Sequence, residues 1–131
     1  MSSRTYPYPP IPVLRSHHAA AILTASQAIF KWTEADFLAL LRKGAQQAQL
    51  TVVGELAFTF DVQGITAVVL LKESHVALHF WPEEKRVTID IHICDYQQDN
   101  GEKAEILADF LALQITGGSS GTQWYNLTIT N

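Results

Sequence analysis

One cysteine, one methionine and five prolines in 131 residues narrow this chain before any motif is read. A lone thiol excludes an intrachain disulfide and any Cys-rich zinc site. Nine basic against thirteen acidic residues give a net charge of −4, and there is no basic cluster, which argues against nucleic acid as a partner. The longest apolar runs, such as Ala67–Leu71, are far too short to cross a bilayer. Ala19–Ala25 after Arg15 has a faint outline of a signal h-region, but its flanks are wrong for one. Asn126-Leu127-Thr128 matches a glycosylation sequon, with nothing else pointing to secretion, so the expected location is cytoplasmic. Four of the prolines, Pro7, Pro9, Pro10 and Pro12, fall within residues 1–16. That stretch reads as an extended tail, because proline cannot donate to a ladder or a helix. Residues 17–131 read as one domain. With 47% hydrophobic and 17% charged residues, it is globular and large enough to bury a core.

Periodicity supplies the elements. Ala19–Ala25 predicts a first strand. Thr33-Glu34-Ala35-Asp36 resembles a capping box, and Phe37, Leu40, Leu41 and Ala45 recur at helical spacing, predicting a helix over about 34–48. Thr51–Phe60 predicts a strand, Asp61–Gly64 a turn, and Ile65–Leu71 a buried β-branched strand. Over 75–80, His75, Ala77 and His79 share one face and Val76, Leu78 and Phe80 the other. Over 87–94 the split is cleaner: Val87, Ile89, Ile91 and Ile93 are apolar, while Thr88, Asp90, His92 and Cys94 form a polar face. Asn100 is placed to cap a second helix with Ile106, Leu107, Phe110 and Leu111 inward. Gly117–Gly121 reads as a loop and Gln123–Ile129 as a last strand. The order β-α-β-β-β-β-α-β predicts an α+β fold, a two-layer α/β sandwich whose mostly antiparallel sheet carries helices on one face. The other face, lined with His, Asp and Cys, is a candidate site floor.

The chemistry concentrates in one stretch, Glu73-Ser74-His75-Val76-Ala77-Leu78-His79-Phe80-Trp81-Pro82-Glu83, followed by Cys94 twenty residues past the serine. This constellation resembles the self-cleaving, pyruvoyl-dependent S-adenosylmethionine decarboxylases of the short bacterial and archaeal type. The resemblance extends from His18 to Cys94. Phe60, four residues before Gly64, matches the family's adenine-stacking aromatic, although a strand phenylalanine is as readily a core residue. Gly64-Ile65-Thr66 matches the Gly-Val-Ser/Thr that opens the strand before the cleavage site. Thr66 keeps the hydroxyl that assists processing there, and Glu83 matches the acid that holds the ribose hydroxyls.

The resemblance implies cleavage between Glu73 and Ser74 and conversion of Ser74 into a pyruvoyl group, with neither a metal nor pyridoxal phosphate. It implies His79 as a proton-transfer group in that elimination and Cys94 as the proton donor to the product carbon, since an ordinary thiol is mostly protonated at neutral pH. It further implies a homodimer with shared sites, Phe60 being contributed across the interface. The substrate would be S-adenosylmethionine, and the product the aminopropyl donor of spermidine synthesis.

The chain departs from the pattern at Phe80, at Glu84-Lys85-Arg86, at Ile22-Leu23-Thr24, at Ile93 and at Asp95. These alter pocket walls rather than the processing residues. They leave open a pyruvoyl decarboxylase for ornithine or arginine, and an uncleaved homologue acting as an interaction module. His17, His18 and His92 read as structural, because no third metal ligand has suitable spacing; His92, which shares the Cys94 face, is the next candidate for the proton-donor role.

Overall fold

The structure, a computed structural model, describes residues 14–118 and 121–131. It contains β1 (Arg15–Thr24), α1 (Glu34–Gln47), β2 (Val52–Thr59), β3 (Ile65–Leu71), β4 (Ser74–Trp81), β5 (Arg86–Cys94), α2 (Gly101–Thr116) and β6 (Tyr125–Thr130). Single 3₁₀ turns at Gln27–Lys31 and Pro82–Glu84 are additions that apolar spacing did not announce. The strands form one sheet in the order β2-β3-β4-β5-β1-β6. Every neighbouring pair is antiparallel. The expected element order and two-layer class are what the chain adopts.

The first strand starts earlier than its apolar run suggests. Arg15 and Ser16, assigned to the tail, pair with β6 and β5, so the tail boundary at 16 is corrected; residues 1–13 lie outside the described residues. Ladder pairing sets this start, and pairing leaves no trace in local composition.

One face of the sheet is apolar because strand period two puts alternate residues there. Val76, Leu78, Phe80, Val87, Ile89, Ile91 and Ile93 are all buried on it. α1 covers β2 and β3, and α2 covers β1 and β5. Phe37, Leu41, Leu107, Leu111 and Ile115 complete the core and are buried fully, each stabilising by roughly 1.5–3 kcal/mol. The helices touch at Gly44, where a Cβ would sit 2.9 Å from Leu107 Cδ1. Thr33 caps α1 as expected: its Oγ1 accepts from the Asp36 amide at 3.3 Å, and Asp36 accepts from the Thr33 amide at 2.8 Å.

Two expectations for α2 are corrected. Ile106 is 40% exposed; it lies beside the inner stripe rather than on it. Asn100 occupies the cap position but makes no side-chain cap bond. Its Nδ2 donates to the Cys94 carbonyl at 2.9 Å instead. The helix-start amides go to Asp95 and Asp99, which accept from the Asn100 and Gly101 N–H groups at 2.9 and 2.8 Å. Among the described residues, no helix is long and apolar enough to cross a membrane.

Candidate active site

The helix-free face of the sheet carries Thr66, His79, His92 and Cys94, and the candidate residues group at the two ends of the sheet. At one end β3 turns into β4 through Lys72 and Glu73. The Lys72 amide donates to the Thr51 carbonyl at 2.9 Å, and Glu73 Oε1 accepts from the Thr51 amide at 3.1 Å. Glu73 is thereby buried, at 7% exposure, with its carboxylate anchored. Its carbonyl oxygen accepts the Cys94 N–H at 2.7 Å. Ser74 follows with φ +141°, a region non-glycine residues avoid at a cost of order 1–3 kcal/mol. By pairing, Ser74 sits in the row of Leu71 and Ile93, yet its Oγ reaches His75 Nδ1 at 3.3 Å. Glu73, Ser74 and Cys94 are therefore brought together.

The other end gathers Phe60, Thr66, His79 and Glu83. Thr66 and His79 are direct cross-strand partners, and the Thr66 hydroxyl lies 2.8 Å from His79 Nδ1. Gly64, at φ +109°, lets the β2–β3 connection close, with the Phe60 N–H on its carbonyl at 2.8 Å. Phe60 stands edge-on to Phe58 at 5.0 Å and is 49% exposed, so it is not a core residue. Glu83, in the turn after β4, accepts from Gln63 Nε2 at 3.3 Å. Trp81 donates to Thr88 Oγ1 at 3.3 Å beside this group.

The structure does not bring the two groups together within one chain. His79 lies five residues beyond Ser74 on an extended strand, about 16 Å at ~3.3 Å per residue.

Beside Ser74 and Cys94 runs a row of three histidines, of which the sequence ties only His92 to the thiol. His18, His92 and His75 stand opposite one another across β1, β5 and β4. Their ring centroids are 4.2 and 5.1 Å apart. Burial, then the neighbouring His18 and His75, hold the His92 imidazole below its ordinary pKa. The polar alternation had marked His75 and His92; only the insertion of β1 beside β5 adds His18.

Behind Cys94, His17 Nε2 meets Asp95 Oδ1 at 2.7 Å. His17, Asp95 and Asp99 present ligand-type atoms within 4.8 Å of one another, so the fold supplies partners that spacing had not offered His17. Both carboxylates are already engaged by helix-start amides. The Arg15 guanidinium lies 3.6 and 4.0 Å from them. Burial raises the Asp95 pKa. The Asn100 amide, the His17 hydrogen bond and the charges of His17 and Arg15 outweigh it and hold the carboxyl below the usual range.

Comparison with known proteins places the chain in a family. A family model described as S-adenosylmethionine decarboxylase matches residues 19–117. The S-adenosylmethionine decarboxylase proenzyme of Symbiobacterium thermophilum is 36% identical over 78 residues, 60% of this chain and 59% of that protein. The protein of that name from Aquifex aeolicus is 34% identical over 80 residues, 61% and 56% of the two chains. That from Archaeoglobus fulgidus is 40% identical over 55 residues, 42% and 49% of the two. The matched part thus spans about half the length of these relatives. The crystal structure of the Aquifex aeolicus adenosylmethionine decarboxylase shares the fold, with a TM-score of 0.68 over 91% of both chains at 24% identity. With its family match running from β1 to the end of α2, the chain belongs to the S-adenosylmethionine decarboxylase family.

Proposed function

We propose that this chain is the precursor of a pyruvoyl-dependent S-adenosylmethionine decarboxylase that cleaves itself between Glu73 and Ser74. The observation that carries the reading is the peptide at that position. Its carbonyl accepts the Cys94 N–H at 2.7 Å, and the residue that would attack it has φ +141°. A fixed donor on a carbonyl stabilises the oxyanion formed by attack. Strain at the attacking residue is released when the peptide bond breaks.

Ser74 Oγ adds to the Glu73 carbonyl carbon, and the Ser74 nitrogen departs as an amine, leaving an ester. Loss of the Ser74 α-proton expels Glu73 as a carboxylate and leaves dehydroalanine. Hydrolysis then releases ammonia. The products are residues 1–73 and a chain headed by a pyruvoyl group. That carbonyl, once formed, supplies the electron sink that amino-acid decarboxylation needs and no side chain provides. Cys94 gives the proton to the carbon that loses carbon dioxide.

His79 and Thr66 serve the elimination, but a proton transfer needs hydrogen-bond reach, and ~16 Å of extended strand separates His79 from its own Ser74. A second copy removes the difficulty. The helix-free face exposes Leu56, Phe58, Phe60, Trp81, Leu127 and Ile129, apolar side chains that a second copy could cover. In a homodimer joined through this face, Thr66, His79, Phe60 and Glu83 of one chain meet Ser74 and Cys94 of the other. Phe60 then stacks on adenine and Glu83 accepts ribose hydroxyls. This pair supports an adenosyl substrate over ornithine or arginine, and the product is the aminopropyl donor for spermidine.

Two measurements test the reading: the intact mass of the purified protein, and carbon dioxide release from S-adenosylmethionine, ornithine and arginine. Two chains and release from S-adenosylmethionine are expected. One unmodified chain after long incubation overturns the processing. Release from ornithine or arginine alone overturns the substrate.

A further inference from the structure

The middle histidine of the three-strand row is used by neither processing nor substrate binding as described above. His92 lies two residues before Cys94 on β5, and its Nε2 is 3.6 Å from the thiol sulfur. Its ring is flanked by His18 from β1 and His75 from β4. The row is fixed at its ends: His18 Nε2 lies 2.9 Å from Ser16 Oγ, and His75 Nδ1 lies 3.3 Å from Ser74 Oγ. We propose that His92 is a positioning residue for Cys94, donating a hydrogen bond to its sulfur and returning a proton to it after each turnover. This rests on the reading of Cys94 as the proton donor.

The titratable groups around His92 are His18, His75, Asp90 and Cys94, with Tyr125 of β6 lining the same depression. Burial and the two flanking histidines favour the neutral ring. A neutral imidazole has one N–H and one bare nitrogen. With the N–H on Nε2, it donates to sulfur and keeps Nδ1 free to accept.

The proton balance then closes. Each decarboxylation consumes one proton, because a C–H bond replaces the bond to the departing carboxylate. Cys94 supplies it from S–H and is left as thiolate. His92 passes its Nε2 proton to sulfur, and Nδ1 takes one from water. Exchange with water restores the starting tautomer. The net change is one proton from solvent per carbon dioxide released.

Cys94 is the only cysteine, so alkylation by iodoacetamide reports it alone. The measurement is made on Ser74→Ala protein, which lacks the nucleophile and is independent of the pyruvoyl reading. Adding His92→Phe should slow alkylation at neutral pH by roughly three- to ten-fold, the scale of one hydrogen bond lost from the thiolate. It should also remove the inflection that His92 titration puts into the rate–pH profile. His92→Gln keeps an N–H; it should recover much of the rate but not the inflection. In cleaved enzyme, His92→Phe should lower kcat by about 100-fold or more with KM unchanged, in the range of a lost proton-transfer group, and added imidazole should restore it. Identical alkylation profiles overturn the contact, and unchanged kcat overturns the proton return. Failure of both His92 variants to self-cleave would also overturn it, by moving His92 into processing. A wild type that never cleaves, but whose thiol still responds to His92, counts against the decarboxylase reading alone.

Discussion

The two ends of the helix-free face are built differently. At the Ser74 end almost every group is tied to the protein. Glu73 is anchored to Thr51, its carbonyl to Cys94, and the Cys94 carbonyl to Asn100, itself 1% exposed. Asp95 is locked by His17 and Arg15. At the His79 end the Thr66 hydroxyl meets His79, while Phe58 and Phe60 stand half in solvent. Under the proposed function, the contrast separates two tasks. Chemistry on the chain's own backbone needs groups held within tenths of an ångström before anything binds. Groups that act on another chain or a ligand stay open until it arrives.

The largest expected effect lies at the tied end. Ser74→Ala removes the nucleophile, so the purified protein should remain one intact chain of 131 residues by mass. Two fragments from that variant would show that cleavage does not depend on Ser74.

The next experiment asks whether the two ends belong to one chain or two. His79→Ala and Ser74→Ala chains, co-expressed with different tags, should form mixed dimers. In these the His79→Ala chain keeps its serine and borrows His79 from its partner. That chain should be cleaved in the mixed dimer and remain largely uncleaved when made alone. A His79→Ala chain that stays uncleaved in the mixed dimer would return the site to a single protomer.

At the open end, Phe60→Ala should raise KM for S-adenosylmethionine by roughly 5- to 150-fold. This follows from base–aromatic stacking worth ~1–3 kcal/mol. Self-cleavage should proceed, because Phe60 touches no group of the scissile peptide. An unchanged KM would assign Phe60 to packing between protomers and leave adenine recognition elsewhere.

Much of this division is readable from residue spacing. Alternation placed Thr88, Asp90, His92 and Cys94 on the face away from Ile89 and Ile91, because side-chain period in a strand is fixed at two. The Ser74–His79 separation was equally legible, since five extended residues cannot fold back on themselves. A shared motif says that two residues serve one reaction, not that they do so in one molecule. What alternation cannot supply is strand order. The histidine row depends on β1 lying between β5 and β6, a choice made by long-range packing. Ile106 was misplaced for a related reason. An apolar stripe on a helix is wider than the contact it makes, and Leu107, Leu111 and Ile115 fill that contact first. Asn100 was assigned to the cap because its residue type prefers it, but the buried carbonyl of Cys94 competed for its amide and won.

The smallest expected effect tests the clamp behind Cys94 through pH. The Asp95 pKa is lowered despite its burial, by the Asn100 amide, by His17 and by Arg15. A carboxyl whose folded pKa lies below its unfolded value contributes stability above the unfolded value, ordinarily ~3.9. That contribution is lost as pH falls through the folded value. Stability measured by urea unfolding should therefore drop below about pH 4 more steeply in the wild type than in Asp95→Asn. Near neutrality the variant should be the less stable, by about 1–3 kcal/mol for a charge-assisted hydrogen bond lost from a covered site. Cys94 lies one residue away, with its amide on the Glu73 carbonyl, so under the proposed function the same variant should also cleave itself more slowly. Parallel acid profiles for the two proteins would mean that His17 and Arg15 hold the β5–α2 connection without Asp95. The contrast between the two ends would then rest on Glu73 and Asn100 alone.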